Sequence, residues 1–273
     1  MPEQFAADWL ALREPADHAA RADELTQRLA AALPTGRALR IADLGAGSGS
    51  NLRYLAPRLP QPQHWWLIDH DNDLLARAIA SGTDPTGAGD QSLITTTAHP
   101  ADLADFPACL PGDVDLITAS ALLDLVAHGW VDRLADYCTE HDLPALLALS
   151  FDGRMQLSPA LPDDRFVEMA VLEHQHGQKD MGKALGPDAA AETAAAFERR
   201  GAAVMRRPSD WRLTPAQAPL QRMLLQGWHE AARAQRPQES ERLDAWLDAR
   251  LAALAHSNIR VGHQDLLTLP CRN

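Results

Sequence analysis

Cysteine is scarce in this 273-residue chain: Cys109, Cys138 and Cys271 stand far apart and form no CxxC pair. That spacing suggests neither a zinc site nor a disulfide framework, and it leaves the three as buried apolar fillers. Long apolar runs are missing as well. No segment approaches the uninterrupted length of a membrane helix, and the opening MPEQFAADWLALREP carries acids rather than a hydrophobic stretch. A soluble, cytoplasmic protein without a membrane partner is expected. Positive charge is in deficit, with a formal net charge of −12 and a pI near 5.3. Such an excess of acid repels phosphate backbones at long range, so a nucleic-acid partner is disfavoured. Arg199, Arg200, Arg206, Arg207 and Arg212 cluster, and their plain reading is solvated side chains at helix and strand ends.

An apolar share of 46% suffices to bury a full core. The spacing of Ala19, Ala22, Leu25, Leu29 and Leu33 predicts a helix over residues 16–33, stopped by Pro34 and Gly36. Next, RALRIADLG reads as a short buried strand, NLRYLAPRL as a helix, HWWLID as a second strand, and DNDLLARAIASG as a second helix. QSLITTT and DVDLITASA are two further strands, VDRLADYCTE is helical, and PALLALSF is the fifth strand. Alternating strands and helices, with strands apolar on both faces, indicate a parallel sheet covered by helices. Trp65 and Trp66 fall inside the second strand and are expected in the core. Beyond Phe151 the pattern loosens. Two helical stretches precede a sixth strand at residues 202–207. Two amphipathic helices follow, over 217–235 and 239–256, and a seventh strand at 259–267 closes the chain.

The stretch ADLGAGSGSN puts Gly45, Gly47 and Gly49 between a strand and a helix, where the chain turns sharply and backbone N–H groups can face a ligand. Asp69 ends the second strand about twenty-five residues further on, where a carboxylate accepts both hydroxyls of a ribose. Two nucleoside ligands suit this arrangement. A dinucleotide site wants G-x-G-x-x-G, but the last glycine is replaced by Ser50. Asp43, just before the turn, would repel a pyrophosphate and serve an ammonium group.

With these residues the sequence resembles the class I S-adenosylmethionine-dependent methyltransferases. Their first motif, an acid, one residue, then G-x-G-x-G, is matched by Asp43, Gly45, Gly47 and Gly49, with Ala46 inside it. Their second-strand acid is matched by Asp69, with His70 where the family packs the adenosine. The acid that accepts from the adenine amino group is matched by Asp102 in HPADLADF, with Leu103 beside it offering an N–H. The fourth strand running into a polar turn resembles DLITASALLDLV, which contains Ser120.

The resemblance implies an α/β, Rossmann-like seven-stranded sheet in the order 3-2-1-4-5-7-6, with flanking helices and a helical insertion between strands six and seven. It implies one methyltransferase domain over 1–273, with a cofactor-binding core at about 36–151. Insertions at about 152–186 and 216–256 would cover the substrate. S-adenosylmethionine is the implied cofactor, and a small molecule with an oxygen, nitrogen or carbon nucleophile the implied methyl acceptor. Asp124 lies where the family sets a polar residue near the methyl group and is the candidate catalytic residue; His128 is a weaker one. In EHQHGQKDMGKALGP, His174, His176, Lys179, Asp180 and Lys183 collect beside two glycines, and His174 and Lys183 are candidates for substrate binding. Asp210 and Trp211 follow strand six, so Trp211 is expected to wall the ligand. His174 and His176 lack a third ligand at metal-site spacing, and no metal is expected. A nicotinamide-dependent oxidoreductase, and a protein that binds S-adenosylmethionine without catalysis, remain alternatives.

Overall fold

The computed structural model describes residues 7–82, 93–179 and 181–270. Asp180, Cys271 and the first two residues of QSLITTT lie outside the described residues. In chain order the elements are α1 (Ala7–Ala20), α2 (Asp23–Ala32), β1 (Leu39–Leu44), α3 (Ser50–Leu55), β2 (Gln63–Asp69), α4 (Asn72–Gly82) and β3 (Ile94–Pro100). There follow β4 (Leu116–Ser120), α5 (His128–Glu140), β5 (Ala145–Ser158), α6 (Asp164–Gln175), β6 (Gln178–Lys179), β7 (Gly182–Lys183) and α7 (Ala189–Arg199). The chain ends with β8 (Ala203–Pro208), β9 (Trp211–Leu213), α8 (Ala218–Gln235), α9 (Ser240–Ala252) and β10 (Asn258–Leu269).

The main sheet runs β3-β2-β1-β4-β5-β10-β8, parallel from β3 to β5 and antiparallel where β10 inserts between β5 and β8. This is the expected order, with β8 and β10 as strands six and seven. Strand side chains alternate between two faces. Leu39, Ile41, Trp65, Leu67 and Leu116 pack beneath α2, α3 and α4, while Ala42, Leu44, Ile117 and Ala119 pack against α5 and α7. A strand buried on both sides therefore reads as a continuous apolar run, which is why the sequence marks the central strands clearly. Trp65 is fully buried, and Trp66 is partly buried against the other layer. Cys109 and Cys138 are buried free thiols.

Three local expectations change. The single helix over 16–33 is two, because the chain breaks at Arg21 and Ala22, where the Ala22 N–H donates to Asp265 of β10 at 2.9 Å. That partner lies 243 residues away, beyond any local pattern. The fifth strand continues past Phe151 to Ser158 and pairs along its length with β10. Beyond the sheet these two strands carry a third apolar cluster, formed with α6, α8, α9 and the unanticipated short strand β9.

Gly49 shows how tightly the α3 and α4 layer fits. Its φ is +83°, and a Cβ there would lie 3.0 Å from Ala78 Cβ and 3.3 Å from Ala78 Cα. Gly36, at φ +84°, has open space around it. Gly36→Ala should cost only the left-handed backbone penalty, about 1–2 kcal/mol. Gly49→Ala should cost that plus an overpacking penalty of roughly 1–3 kcal/mol. Urea midpoints of the two variants measure the difference; equal losses would show that packing against α4 is not what Gly49 provides.

Candidate active site

The carboxyl ends of β1, β2, β3 and β4 converge on a cavity of about 720 Å³. Gly45, Ala46, Gly47, Asp69, His70, Asp102, Leu103 and Ser120 all line it. These residues come from four strand ends that the sequence separates widely, and parallel topology places all four on one edge.

The glycine loop works differently from the sequence expectation. Its glycine amides and that of Ala46 are engaged within the fold: the N–H groups of Gly45 and Ala46 donate to the Ile68 carbonyl at 2.9 and 3.1 Å, and that of Gly49 donates to the Ala46 carbonyl at 2.9 Å. The Gly47 N–H donates to Asp69 Oδ2 at 2.9 Å. What the glycines supply is left-handed backbone and room. A Cβ on Gly45 would meet Leu122 at 3.4 Å, and one on Gly47 would meet only Leu10, at 3.6 Å. Gly49 serves helix packing and does not line the cavity.

Asp69 thereby has two duties. It is buried, with Oδ2 tied to the Gly47 amide and Oδ1 accepting from the Asp71 amide at 3.0 Å. Each carboxylate oxygen keeps a further lone pair. Asp71, also on the cavity wall, accepts from the amides of Asp73 and Leu74 at 2.9 and 3.0 Å and so caps α4. Asp102 accepts from the Ala104 amide at 2.8 Å and is otherwise exposed. The His70 ring is exposed, with Nδ1 3.5 Å from Asp69.

Asp43 is not on the cavity wall. It is 1% exposed and sits behind Asn51, whose amide donates to Asp43 Oδ1 at 2.7 Å and to Thr118 at 3.1 Å. Burial pushes its carboxyl up to about 7, against the hydrogen bond from Asn51 and the charge of Arg21, which pull it down. An ammonium group in the cavity would meet Asn51 first.

The cavity lining also includes residues that the sequence pattern did not single out, above all those of α1. Leu10, Arg13 and Asp17 come from α1, and Gln178, Lys179 and Met181 join His174 from the segment after α6. The signal for the α1 group was present in ALREPAD, as an Arg and an Asp four residues apart, but nothing local showed which way that face points. Residues 216–256 contribute no wall; α8 packs against α6 and α1 behind it.

Besides Asp43, four candidates fall outside the cavity. Lys183 pairs with Gln178 in the β6–β7 hairpin and its side chain is exposed, leaving Lys179 on the wall instead. Trp211 is 2% exposed in the third cluster, and its indole N–H donates to Asp17 at 2.9 Å, so it backs the wall rather than forming it. Asp124 lies in a short turn whose flanking Leu122 and Leu125 face the cavity in its place. His128 is exposed on α5, 3.0 Å from Asp132 and 3.4 Å from Glu192. In the arginine cluster, Arg200 pairs with Asp136 at 2.5 Å and Arg207 with Glu24 at 2.7 Å, while Arg212 is exposed. Among the described residues no cluster of His, Cys, Asp and Glu could hold a metal ion, and no helix is long and apolar enough to cross a membrane.

No protein-family model matches this chain, and no curated protein does. Solved structures do. The cyclopropane synthase MmaA2 from Mycobacterium tuberculosis is similar at a TM-score of 0.51 and 13% identity, over 97% of this chain and 94% of that one. The YcgJ protein from Bacillus subtilis is similar at 0.50 and 12%, over 92% and 100%. A methyltransferase from Thiobacillus denitrificans in complex with S-adenosylhomocysteine aligns at 0.47 and 17%, over 98% and 100%. The likeness extends over nearly the whole length and lies in the fold.

Behind Trp211, His263 of β10 is 6% exposed and 5.3 Å from the indole. Burial, with the Arg13 charge adding to it, holds its imidazole down at about 3, although Asp152 and Asp210 oppose the shift. The folded protein keeps this ring neutral where the unfolded chain, at the ordinary 6.5, takes up a proton. Stability from this group is therefore complete above 6.5 and is lost progressively as pH falls towards 3. Denaturant titrations across that window should show a falling stability whose slope is reduced in His263→Gln; an unchanged slope would remove His263 as its source.

Proposed function

We propose that this chain, which has the fold of the class I S-adenosylmethionine-dependent methyltransferases, transfers the methyl group of S-adenosylmethionine to an oxygen, nitrogen or carbon of a small molecule. The observation that carries this reading is the meeting of Gly45, Asp69, Asp102 and Ser120, from four successive strand ends, around one cavity.

The residues suit the cofactor. The free lone pairs of Asp69 match the two ribose hydroxyls. Asp102 is placed to accept from the adenine amino group, and the exposed His70 ring can lie along the adenosine. The room left by Gly45 and Gly47 admits the methionyl portion. The sulfonium methyl of this cofactor arrives already activated, so the protein has mainly to align a nucleophile and exclude water. Leu122, Leu125 and Met181 form an apolar part of the lining suited to excluding water. His174 and Lys179 supply polar groups on the acceptor side. Asp43 would act on the cofactor's ammonium only through Asn51. The net charge of −12 makes a small molecule a better acceptor than a polynucleotide.

S-adenosylhomocysteine at about 100 times its dissociation constant should stabilise the protein by roughly 2.7 kcal/mol, and NAD should leave it unchanged. The reverse ranking would favour a nicotinamide enzyme. Turnover of methyl-labelled cofactor against small hydroxyl, amine and carboxylate compounds tests catalysis itself. Asp69→Ala removes both the ribose acceptor and the Gly47 tether, so calorimetry should show affinity for S-adenosylhomocysteine falling by about tenfold or more. Unaltered affinity would take Asp69 out of the site.

A further inference from the structure

Arg13 is held in an arrangement that its own fold contacts do not use up. Its Nε donates to Asp17 Oδ2 at 2.8 Å and its Nη2 to Asp17 Oδ1 at 3.2 Å, a forked pair between residues four apart on α1. Asp17 is fixed in turn by the Trp211 indole N–H at 2.9 Å. The guanidinium carbon lies 5.1 Å from the Trp211 ring centre and 5.8 Å from that of Trp9. The Arg13 side chain is 13% exposed and lines the cavity. Its Nη1 donates to no described residue.

Arg13 is also positioned at a particular end of the cavity. Leu10, one turn earlier on α1, is the neighbour that a Cβ on Gly47 would meet. Glu14 pairs with Arg53, whose Nη1 donates to the Ser48 carbonyl at 2.7 Å, and His18 Nε2 is 3.0 Å from the Ser50 carbonyl. Helix α1 thus lies across residues 47–50, while the acids Asp69, Asp71 and Asp102 follow the β2 and β3 ends. The glycine-loop end of the cavity contains a fixed cation.

We infer that Arg13 is a carboxylate receptor, and that the carboxylate it takes is that of the cofactor's amino-acid portion. This rests on the reading that the cavity holds S-adenosylmethionine. A guanidinium already forked to one carboxylate and flanked by aromatic rings loses little side-chain freedom when it binds a second anion. Its remaining N–H groups suit a planar oxyanion in a partly desolvated site. The amides of Gly45, Ala46, Gly47 and Gly49 are occupied by Ile68, Ala46 and Asp69, so those four do not offer donors to the anion and a side-chain cation is the stronger partner at this end.

The test compares S-adenosylhomocysteine with its decarboxylated analogue by calorimetry. Wild-type protein should prefer the carboxylate form by on the order of tenfold or more. Arg13→Met should abolish most of that preference while binding the decarboxylated analogue as wild type does, which also reports an intact cavity. Asp17→Asn, which loosens the fork without removing the cation, should reduce the preference by a smaller factor. A wild-type ratio near one would overturn the inference without any variant. So would an Arg13→Met or Asp17→Asn protein that binds the analogue normally and keeps the full wild-type ratio. Wild-type protein that binds neither compound would overturn the cofactor reading along with it.

Discussion

The buried carboxylate of Asp265 ties together parts of the chain that have no local reason to meet. One oxygen accepts from the Leu149 amide at 2.8 Å, holding β5 where that leucine adopts a φ of +55°. The other accepts from Ala22, ending α1 and starting α2, and lies 3.5 Å from Arg21 Nε. That last separation suits an ion pair but is long for a well-made hydrogen bond. Arg21 continues the chain of contacts through Nη1 to Asn51 at 2.8 Å, and Asn51 reaches Asp43 and Thr118. Removing one member of such a buried charge pair typically costs about 3–5 kcal/mol, because the survivor stays desolvated.

The same network fixes the cavity. Asn51 joins a cavity wall to the charged groups behind it, and α1 is carried across the glycine loop by the turn that Asp265 holds. Asp43, raised to about 7, faces Asn51 rather than solvent. Its carboxyl is linked to the cavity through the Asn51 amide, which it holds in place. The glycine loop, for its part, is shaped by Asp69 and by β2. Loop geometry therefore depends on the same carboxylate that is proposed to hold the ribose.

Much of this site was legible in the sequence because strand ends follow directly from apolar runs. ADLGAGSGSN and WWLIDHD each announce where a buried strand stops, and parallel topology brings such stops to one edge. Asp102 and Ser120 came from the family resemblance, and both lie on the same cavity wall. Residues beyond Phe151 were harder. Lys179 and Lys183 are equivalent in sequence, and only the pairing of β6 with β7 separates the one on the cavity from the one in solvent. Trp211 looked like a ligand wall because it follows strand six, yet it pairs in β9 with β10 and is covered by α1.

The sequence by itself determined the alternation of strands and helices, the sheet order that its family likeness implies, and the acids at the strand ends. The first and the last depend on side-chain periodicity or on spacing within a few dozen residues, and the sheet order on the resemblance alone. Tertiary structure alone decided that α1 lies over the glycine loop, that the amides of Gly45, Ala46, Gly47 and Gly49 turn inward, and that Arg13 rather than Lys183 reaches the cavity. Those outcomes depend on contacts across as many as 243 residues, such as Ala22 to Asp265, for which no local pattern carries a trace.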